Sequence, residues 1–291
     1  MLQRTISPPA YHGRMTLPPP LPRPALPPLD AAALAELAQA RQRLEHPGWA
    51  ARVANTLGAP VELLVGEHLP ARMSRMLDSA THRALSIALK SALRTLRRPG
   101  APARPRLHRV AVALTGAGGG FFGLPGLAVE LPLTTTLMLR SIADIARAEG
   151  EDLDDPATAL ACLEVLAHGG RSATDDGSES GYFAVRAAMA QQVQAAARHL
   201  AQHGLAHQGA PVLVSLLARV AAKFSVSVSE KLAAQAVPVA GALGGATLNS
   251  IFIGHFQTMA RGHFVVRRLE RRHGEAAVRA AYRALGSPPA Q

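Results

Sequence analysis

Residues 109–130 read RVAVALTGAGGGFFGLPGLAVE, with no charged side chain between Arg109 and Glu130 and six glycines at 116, 118, 119, 120, 123 and 126. The pattern LPLTTTLMLRSIADIARAEG follows directly, and its apolar residues Leu137, Met138, Ile142 and Ile145 recur at helical spacing. A second stretch of the same character lies between Lys231 and Arg261 and contains no Asp, Glu, Lys or Arg. Gly119 and Gly123 are four apart, as are Gly241 and Gly245. Small residues at that spacing let helix backbones approach closely. The expectation is that the two stretches pack together as a buried or membrane-facing core.

Glycine runs also cradle phosphates, but a P-loop needs G-x-x-x-x-G-K-[ST], and no lysine follows here. Gly118, Gly120 and Gly123 satisfy G-x-G-x-x-G formally. A dinucleotide site also requires a helix opening at the third glycine inside a repeated strand–helix–strand pattern. Pro125 and Gly126 obstruct that helix, and no such repeat surrounds the segment. Both stretches reach bilayer-spanning length, yet glycines and Pro125 interrupt the first and Pro238 the second.

Working outward, the chain is rich in alanine, leucine and arginine and poor in aromatics, a composition that favours helix throughout. An all-α, multi-helix single domain of about nine or ten helices is expected over residues 29–286, with the two Gly-rich apolar helical segments at its centre. Residues 1–28, with LPPPLPRPALPP, form a proline-rich tail expected to be disordered, and 287–291 a short second tail. Asp30 is placed to cap a first helix carrying Leu34, Leu37 and Leu44. Trp49, Val53 and Leu57 suggest a short second one. Pro70 opens a long basic helix, with Met73, Met76, Leu77, Leu85, Ile87, Leu89 and Leu96 on one side and Arg72, Arg75, Arg83, Lys90, Arg94 and Arg97 on the other. Residues 97–105 read as a linker. Pro132 is expected to start the next helix, Gly150 to end it, and Pro156 to open ATALACLEVLAHGG. Beyond the polar loop RSATDDGSES come a long helix, a segment containing SVSVS that reads as helix or irregular link, and a helix after Pro238. A short terminal helix, EAAVRAAYRAL, completes the pattern.

The formal charge of +11 is unevenly placed. Residues 70–109 hold ten Lys/Arg and one acid, residues 130–180 eleven acids and three arginines, and residues from 261 onward seven arginines and two glutamates. A basic sector attracts phosphates of lipid or nucleic acid. No zinc-finger, RRM or basic-zipper pattern is present and stacking aromatics are scarce, so nucleic acid is disfavoured as a partner. The single cysteine, Cys162, lies in the apolar run ALACLEVL and reads as a buried structural thiol. No apolar signal-peptide core precedes the prolines. The expected location is the cytoplasm, with the inner-membrane surface, a membrane protein or a lipid as candidate partners.

Few side chains suggest chemistry. His199, His203 and His207 are four apart, but Gly204 is placed to end their helix and no H-E-x-x-H motif is present. A structural or solvated role is favoured, and no metal or cofactor is expected. Asp175, Asp176 and Glu179 lack EF-hand spacing. His255 and His263, eight apart among Phe252, Phe256 and Met259, read as packed histidines. Glu130 closes the first apolar stretch, Glu230 and Lys231 open the second, and Asn249 lies within it. A buried amide needs a partner, so Asn249 is expected to bond across to the first stretch. Glu130, Glu230, Lys231, Asn249 and His255 are the candidate binding residues, and none is assigned a catalytic role.

Two segments together carry a family resemblance. GAGGGFFGLPGLAVELPLTTTLMLRSIADIARAEGEDLDDP, followed by ALACLEVL, resembles the first signature of the EcsC family. SVSVSEKLAAQAVPVAGALGGATLNSIFIGHFQTMARGHFVVRRLERRHG resembles its C-terminal signature. The resemblance spans roughly residues 35–285 and rests on the glycine run, E-L-P before a helix with Leu139-Arg140, S-E-K-x-x-A-Q-x-x-P and M-A-R-G-H-F. It implies an association with a bacterial ABC-transporter operon, and no reaction, cofactor or catalytic set. Three functions are therefore weighed: a non-enzymatic accessory protein at the membrane, a lipid or apolar small-molecule binder, and an enzyme with a site near Glu230, Lys231 and His255.

Overall fold

A computed structural model describes residues 26–45, 71–95, 123–169, 181–203, 210–236 and 238–286. Among these the chain is all-α, with eight helices and no strand: α1 (Ala31–Glu45), α2 (Ala71–Thr95), α3 (Gly123–Ala148), α4 (Pro156–Ala167), α5 (Gly181–His203), α6 (Pro211–Ala236), α7 (Pro238–His273) and α8 (Glu275–Ala284). The expectations for residues 1–25 and 287–291 of the two tails, for Trp49, Val53 and Leu57, and for the linker at 97–105 lie outside the described residues.

The shortest of the apolar helices organises the rest. Asp155 caps α4 by accepting from the Ala157 amide at 2.9 Å, and Pro156 occupies its first turn, where no amide donor is needed. Every side chain from Thr158 to Ala167 is buried, because α2, α3, α5, α6 and α7 all pack against this helix. A helix apolar on all sides can only be stable when so surrounded. Cys162 sits inside it, and burial pushes its thiol up to about 12, so it is a packing residue.

The other long element is α7, 36 residues and about 54 Å in length. It packs against α1, α3, α4, α6 and α8. Phe252, Phe256 and Phe264 on α7 are fully buried, and Phe224 of α6 meets Phe256 edge-on at 5.5 Å between ring centroids. At Gly262 the backbones of α1 and α7 come close: a Cβ there would lie 2.6 Å from Leu44 Cγ and 3.0 Å from the Ala40 carbonyl oxygen.

Two local expectations differ from what forms, and a third, SVSVS read as helix or irregular link, resolves to helix. The third helix begins at Gly123, so Pro132 lies inside it. Proline's fixed φ suits a helix, and its cost is one backbone hydrogen bond and crowding a turn back; burial of Glu130 and Leu131 holds the earlier turn in place. SVSVS is part of one uninterrupted helix, α6. Its alternation is incidental, because Ser225, Ser227 and Val228 are buried at helical spacing while Val226 is exposed. Leu34, Met76 and Ile87, expected on apolar faces, are exposed. Gly150 does end α3, with φ of 79°.

The acidic and basic sectors meet. Glu151, in the turn between α3 and α4, receives Arg267 through two bonds of 2.9 and 3.2 Å and also pairs with Arg271. Arg268 bridges Glu36 at 2.6 Å and Glu149 at 3.2 Å. Burial alone would raise the Glu151 carboxyl, yet Arg267 and Arg271 hold it below the ordinary range. Three arginines of the C-terminal basic sector are thus neutralised within the molecule.

Candidate functional site

Helices α3, α6 and α7 bring Glu130, Lys231 and Asn249 to one point. Lys231 Nζ donates to Glu130 Oε1 at 2.7 Å, and Asn249 Nδ2 donates to the same oxygen at 3.2 Å. All three are buried, at 2% exposure for Lys231 and 6% for Glu130. The Lys231 ammonium also lies 5.5 Å from the centroid of the Phe252 ring, whose face attracts a cation. Burial lowers the Lys231 pKa below the ordinary lysine value, and Glu130 partly restores it. Farther along the same two helices, Gln257 of α7 donates to Ser141 of α3 at 2.7 Å. The partners rise together in number, so α3 and α7 run in the same direction.

The local sequence explains this convergence. Glu130 is the first charge after the first Gly-rich stretch, and Lys231 the last before the second. A bond between them ties the two stretches together at their edges, and the cross-link expected of Asn249 forms. Gly119 lies outside the described residues, as do the surroundings of Gly123, Gly241 and Gly245.

The remaining two candidates stand apart from the bond. Glu230 is buried but is the neighbour of Lys231 on α6, so it points about 100° around the helix. His255 is buried on α7, and its Nε2 bonds to the Gly169 carbonyl oxygen at 3.2 Å, just beyond the end of α4. A catalytic reading needs Glu230, Lys231 and His255 around one open pocket. Instead all three are enclosed, and Lys231 and His255 are bound to partners on different elements.

A second buried polar centre escaped the sequence reading. Glu164 and His168 lie one turn apart on α4, with His168 Nε2 3.9 Å from Glu164 Oε1. His263 of α7 approaches the His168 ring at 5.6 Å between centroids, and Tyr182 Oη of α5 shares a 3.0 Å hydrogen bond with His263 Nδ1. Arg186 donates to the Tyr182 oxygen at 3.4 Å and grips Glu270 through two bonds of 2.8 and 3.1 Å. Burial raises the Glu164 carboxyl to about 7, against the opposing influence of Arg186 and Arg267. Burial likewise lowers His168 to about 3, with Arg186 and Lys223 adding to the effect, and holds His263 well below its ordinary value. With Arg186 donating to Tyr182, the phenolic proton is left for a neutral His263. A signal for this centre is present in ACLEVLAHGG: a glutamate inside an otherwise apolar helix, with a histidine four residues on.

Among the described residues no group of three or more His, Cys, Asp or Glu side chains is arranged to hold a metal ion. Both centres can order helices and hold charge in the core, with Glu130, Lys231, Asn249, Glu164 and His263 buried. Among the described residues one helix, α6 over Pro211–Leu232, is long and apolar enough to cross a bilayer by length and composition, but half of it is buried in the protein, with Ser227, Glu230 and Lys231 on the buried side. No curated protein and no solved structure matches the chain. A family model does, over residues 31–269, and takes in both Gly-rich stretches, the Glu130 centre and all of the Glu164 centre but Glu270: the chain belongs to the EcsC protein family.

Proposed function

We propose that the protein is a non-enzymatic accessory factor that associates peripherally with an anionic membrane surface, in support of membrane transport or envelope function. The observation that carries this reading is the outer face of α2. Met76 is 66% exposed and Ile87 42% exposed, and they lie eleven residues apart, three helical turns, on the same line as Arg83. Arg75 is exposed beside them, and neither arginine pairs with an acid among the described residues. Apolar side chains interleaved with arginine suit the headgroup boundary of a bilayer, where the first insert and the second meet phosphates. Three of the seven C-terminal arginines are spent on Glu36, Glu149 and Glu151, and this contrast favours α2 as a basic surface for a partner. Glu130, Lys231, Glu164 and His263 are buried, which weighs for a scaffold over an enzyme.

Flotation of the full chain with vesicles tests this. Vesicles containing phosphatidylglycerol should carry the protein at low salt, neutral phosphatidylcholine vesicles should not, and raised salt should release it. Each basic residue near an anionic surface contributes about 1 kcal/mol. Arg75→Glu with Arg83→Glu should therefore weaken binding by roughly tenfold or more, and Met76→Ser, which removes the apolar anchor without adding charge, should weaken it without changing the salt dependence. Equal flotation of the wild type and the charge-reversed variant, or none for either, removes the proposal.

A further inference from the structure

We propose that the space between α3 and α6, one turn from the Glu130–Lys231 bond, is an internal polar site that binds water between the hydroxyls of Thr134 and Ser227. The packing sets its walls. Among the described residues α2 packs against α3 and α6, and α7 packs against the same two helices, while α3 and α6 are not packed against each other. They face one another across the middle of this four-helix group. The bond that joins them here runs between the ends of two long side chains, from Lys231 Nζ to Glu130 Oε1 at 2.7 Å. Lys231 approaches the Phe252 ring and, farther back on α6, Phe224 meets Phe256, so α6 and α7 run in opposite directions. Since α3 runs with α7, α3 and α6 are antiparallel. Thr134 lies four residues after Glu130, and Ser227 four before Lys231. The two therefore share the faces that carry the pair and stand at one level, a turn of about 5.4 Å farther along the group.

A gap that takes lysine and glutamate end to end is faced at that level by two short side chains. Helix α4 packs against all four helices of the group but stops short of it. Its end, at Gly169, lies beside His255 and Phe256, more than a turn beyond Asn249 on α7. Thr134 and Ser227 are 1% and 0% exposed, and neither hydroxyl bonds to a protein group. A serine or threonine inside a helix ordinarily reaches back to a carbonyl of its own helix or out to solvent. Thr136 of α3 and Ser225 and Ser229 of α6 reach back, at 2.8, 3.1 and 2.8 Å. Thr134 and Ser227 do neither, so their hydroxyls are turned to the interior. The Lys231 ammonium has three donors and gives one of them to Glu130. The charges of the pair cancel, so the ligand that suits this site is neutral and both donates and accepts. Water has that character, and two hydroxyls beside a buried ion pair supply the polar partners that an internal water needs.

The test sets Thr134→Val, Ser227→Ala, their double variant and Thr134→Ser beside the wild-type chain. Oxygen-17 magnetic relaxation dispersion counts water held inside a protein for longer than the protein takes to tumble. It should find at least one such water fewer in the double variant than in wild type. Thr134→Ser, which keeps a hydroxyl, should retain the wild-type number. In urea unfolding, Thr134→Val and Ser227→Ala should each lower the midpoint, because each leaves the water and the opposite hydroxyl short of a partner. The double variant should lose less than the sum of the two, since replacing both partners by apolar groups leaves neither unsatisfied. Equal water counts in wild type and double variant overturn the proposal, and so does a Thr134→Ser count as low as that of the double variant. A midpoint that rises or stays unchanged in either single variant, the result for a bare hydroxyl, overturns it too. Losses that simply add do the same, because the two hydroxyls then share no ligand.

Discussion

The two buried polar centres differ in how their charge is settled. At Glu130, opposite charges meet directly: one carboxylate oxygen receives both an ammonium and an amide. At Glu164, the basic side chain one turn away is His168, which burial keeps neutral, and the two arginines that act on it, Arg186 and Arg267, are committed to Glu270 and Glu151. The first centre is therefore an ion pair that must stay intact. The second is a cluster of buried titratable groups whose protonation follows pH. Both join α7 to other helices, so the same long element carries one fastening made by opposite charges and one whose protonation follows pH.

The largest expected effect separates the two. Lys231→Met removes the cation and leaves Glu130 enclosed without its partner, and breaking a buried pair from one side costs about 3–5 kcal/mol. Adding Glu130→Gln should recover most of that loss, because no buried charge remains. Urea unfolding of the single and double variants measures both. If the double variant is no more stable than Lys231→Met alone, the pair is more than a charge-matching device.

The second effect is a pH dependence and belongs to Glu164. Its folded pKa, about 7, stands above its ordinary 4.5. Its contribution is therefore fully present below pH 4.5 and is lost as pH rises through about 7. The difference converts to about 3 kcal/mol. His168 works in the opposite sense: its folded value, about 3, lies below the ordinary 6.5, so its contribution is present above pH 6.5 and is lost as pH falls toward 3. Glu164→Gln, which mimics the protonated acid, should flatten the alkaline side of the stability curve and leave the acid side standing. Parallel curves for wild type and variant between about pH 5 and 8 would contradict the assignment.

A third effect lies between the centres. Gly169 follows His168 and offers its carbonyl to His255, while a Cβ at this position would lie 2.2 Å from Phe256 Cε1. Gly169→Ala forces that ring aside and should cost about 1–3 kcal/mol in thermal or urea unfolding. A neutral outcome would mean that Phe256 moves freely, and that α7 is held at Glu130 more firmly than at the end of α4.

How much of this could be read from the chain follows from how each contact is written in it. The helical class was legible in composition and period, and so was the apolar helix between Pro156 and Gly169. The Glu130–Asn249 contact was legible because charges bounding uncharged stretches, and an amide within one, stand out against their neighbours. The Lys231 bond to Glu130 was narrowed to a short set of residues and completed by the packing of α6. Glu164, Tyr182, Arg186, His263 and Glu270 come from three separate helices, and each is an ordinary residue in its own segment. Only the crossing of α4, α5 and α7 gives them partners, and long-range crossings leave no local period. The start of α3 was missed for a related reason: Pro132 is a local stop signal that burial of the preceding turn overrides. The exposure of Met76 and Ile87 was hidden as well, because a broad apolar face in sequence does not say how much of it the neighbouring helices cover.

The smallest effect asks whether the two centres unfold together. Asp155 and Asp30 perform the same service, each accepting a backbone amide at the start of a helix, at 2.9 Å for α4 and 2.7 Å for α1. Removing such a cap costs about 1 kcal/mol. The helices differ in position: α4 is enclosed by five others, whereas α1 lies against α7, α8 and the edge of α5. Asp155→Ala should therefore lower hydrogen-exchange protection by about 1 kcal/mol in α4, α3 and α7 alike, since amides at the hub exchange only when the whole core opens. Asp30→Ala should lower it by a similar amount in α1 and leave the slowest amides of α4 unchanged. Asp155→Asn keeps the acceptor and should fall between wild type and alanine. If Asp155→Ala weakens α4 and the amides near His168 but spares those near Glu130 and Asn249, the two centres belong to separate cooperative units, and the pH-sensitive one opens first.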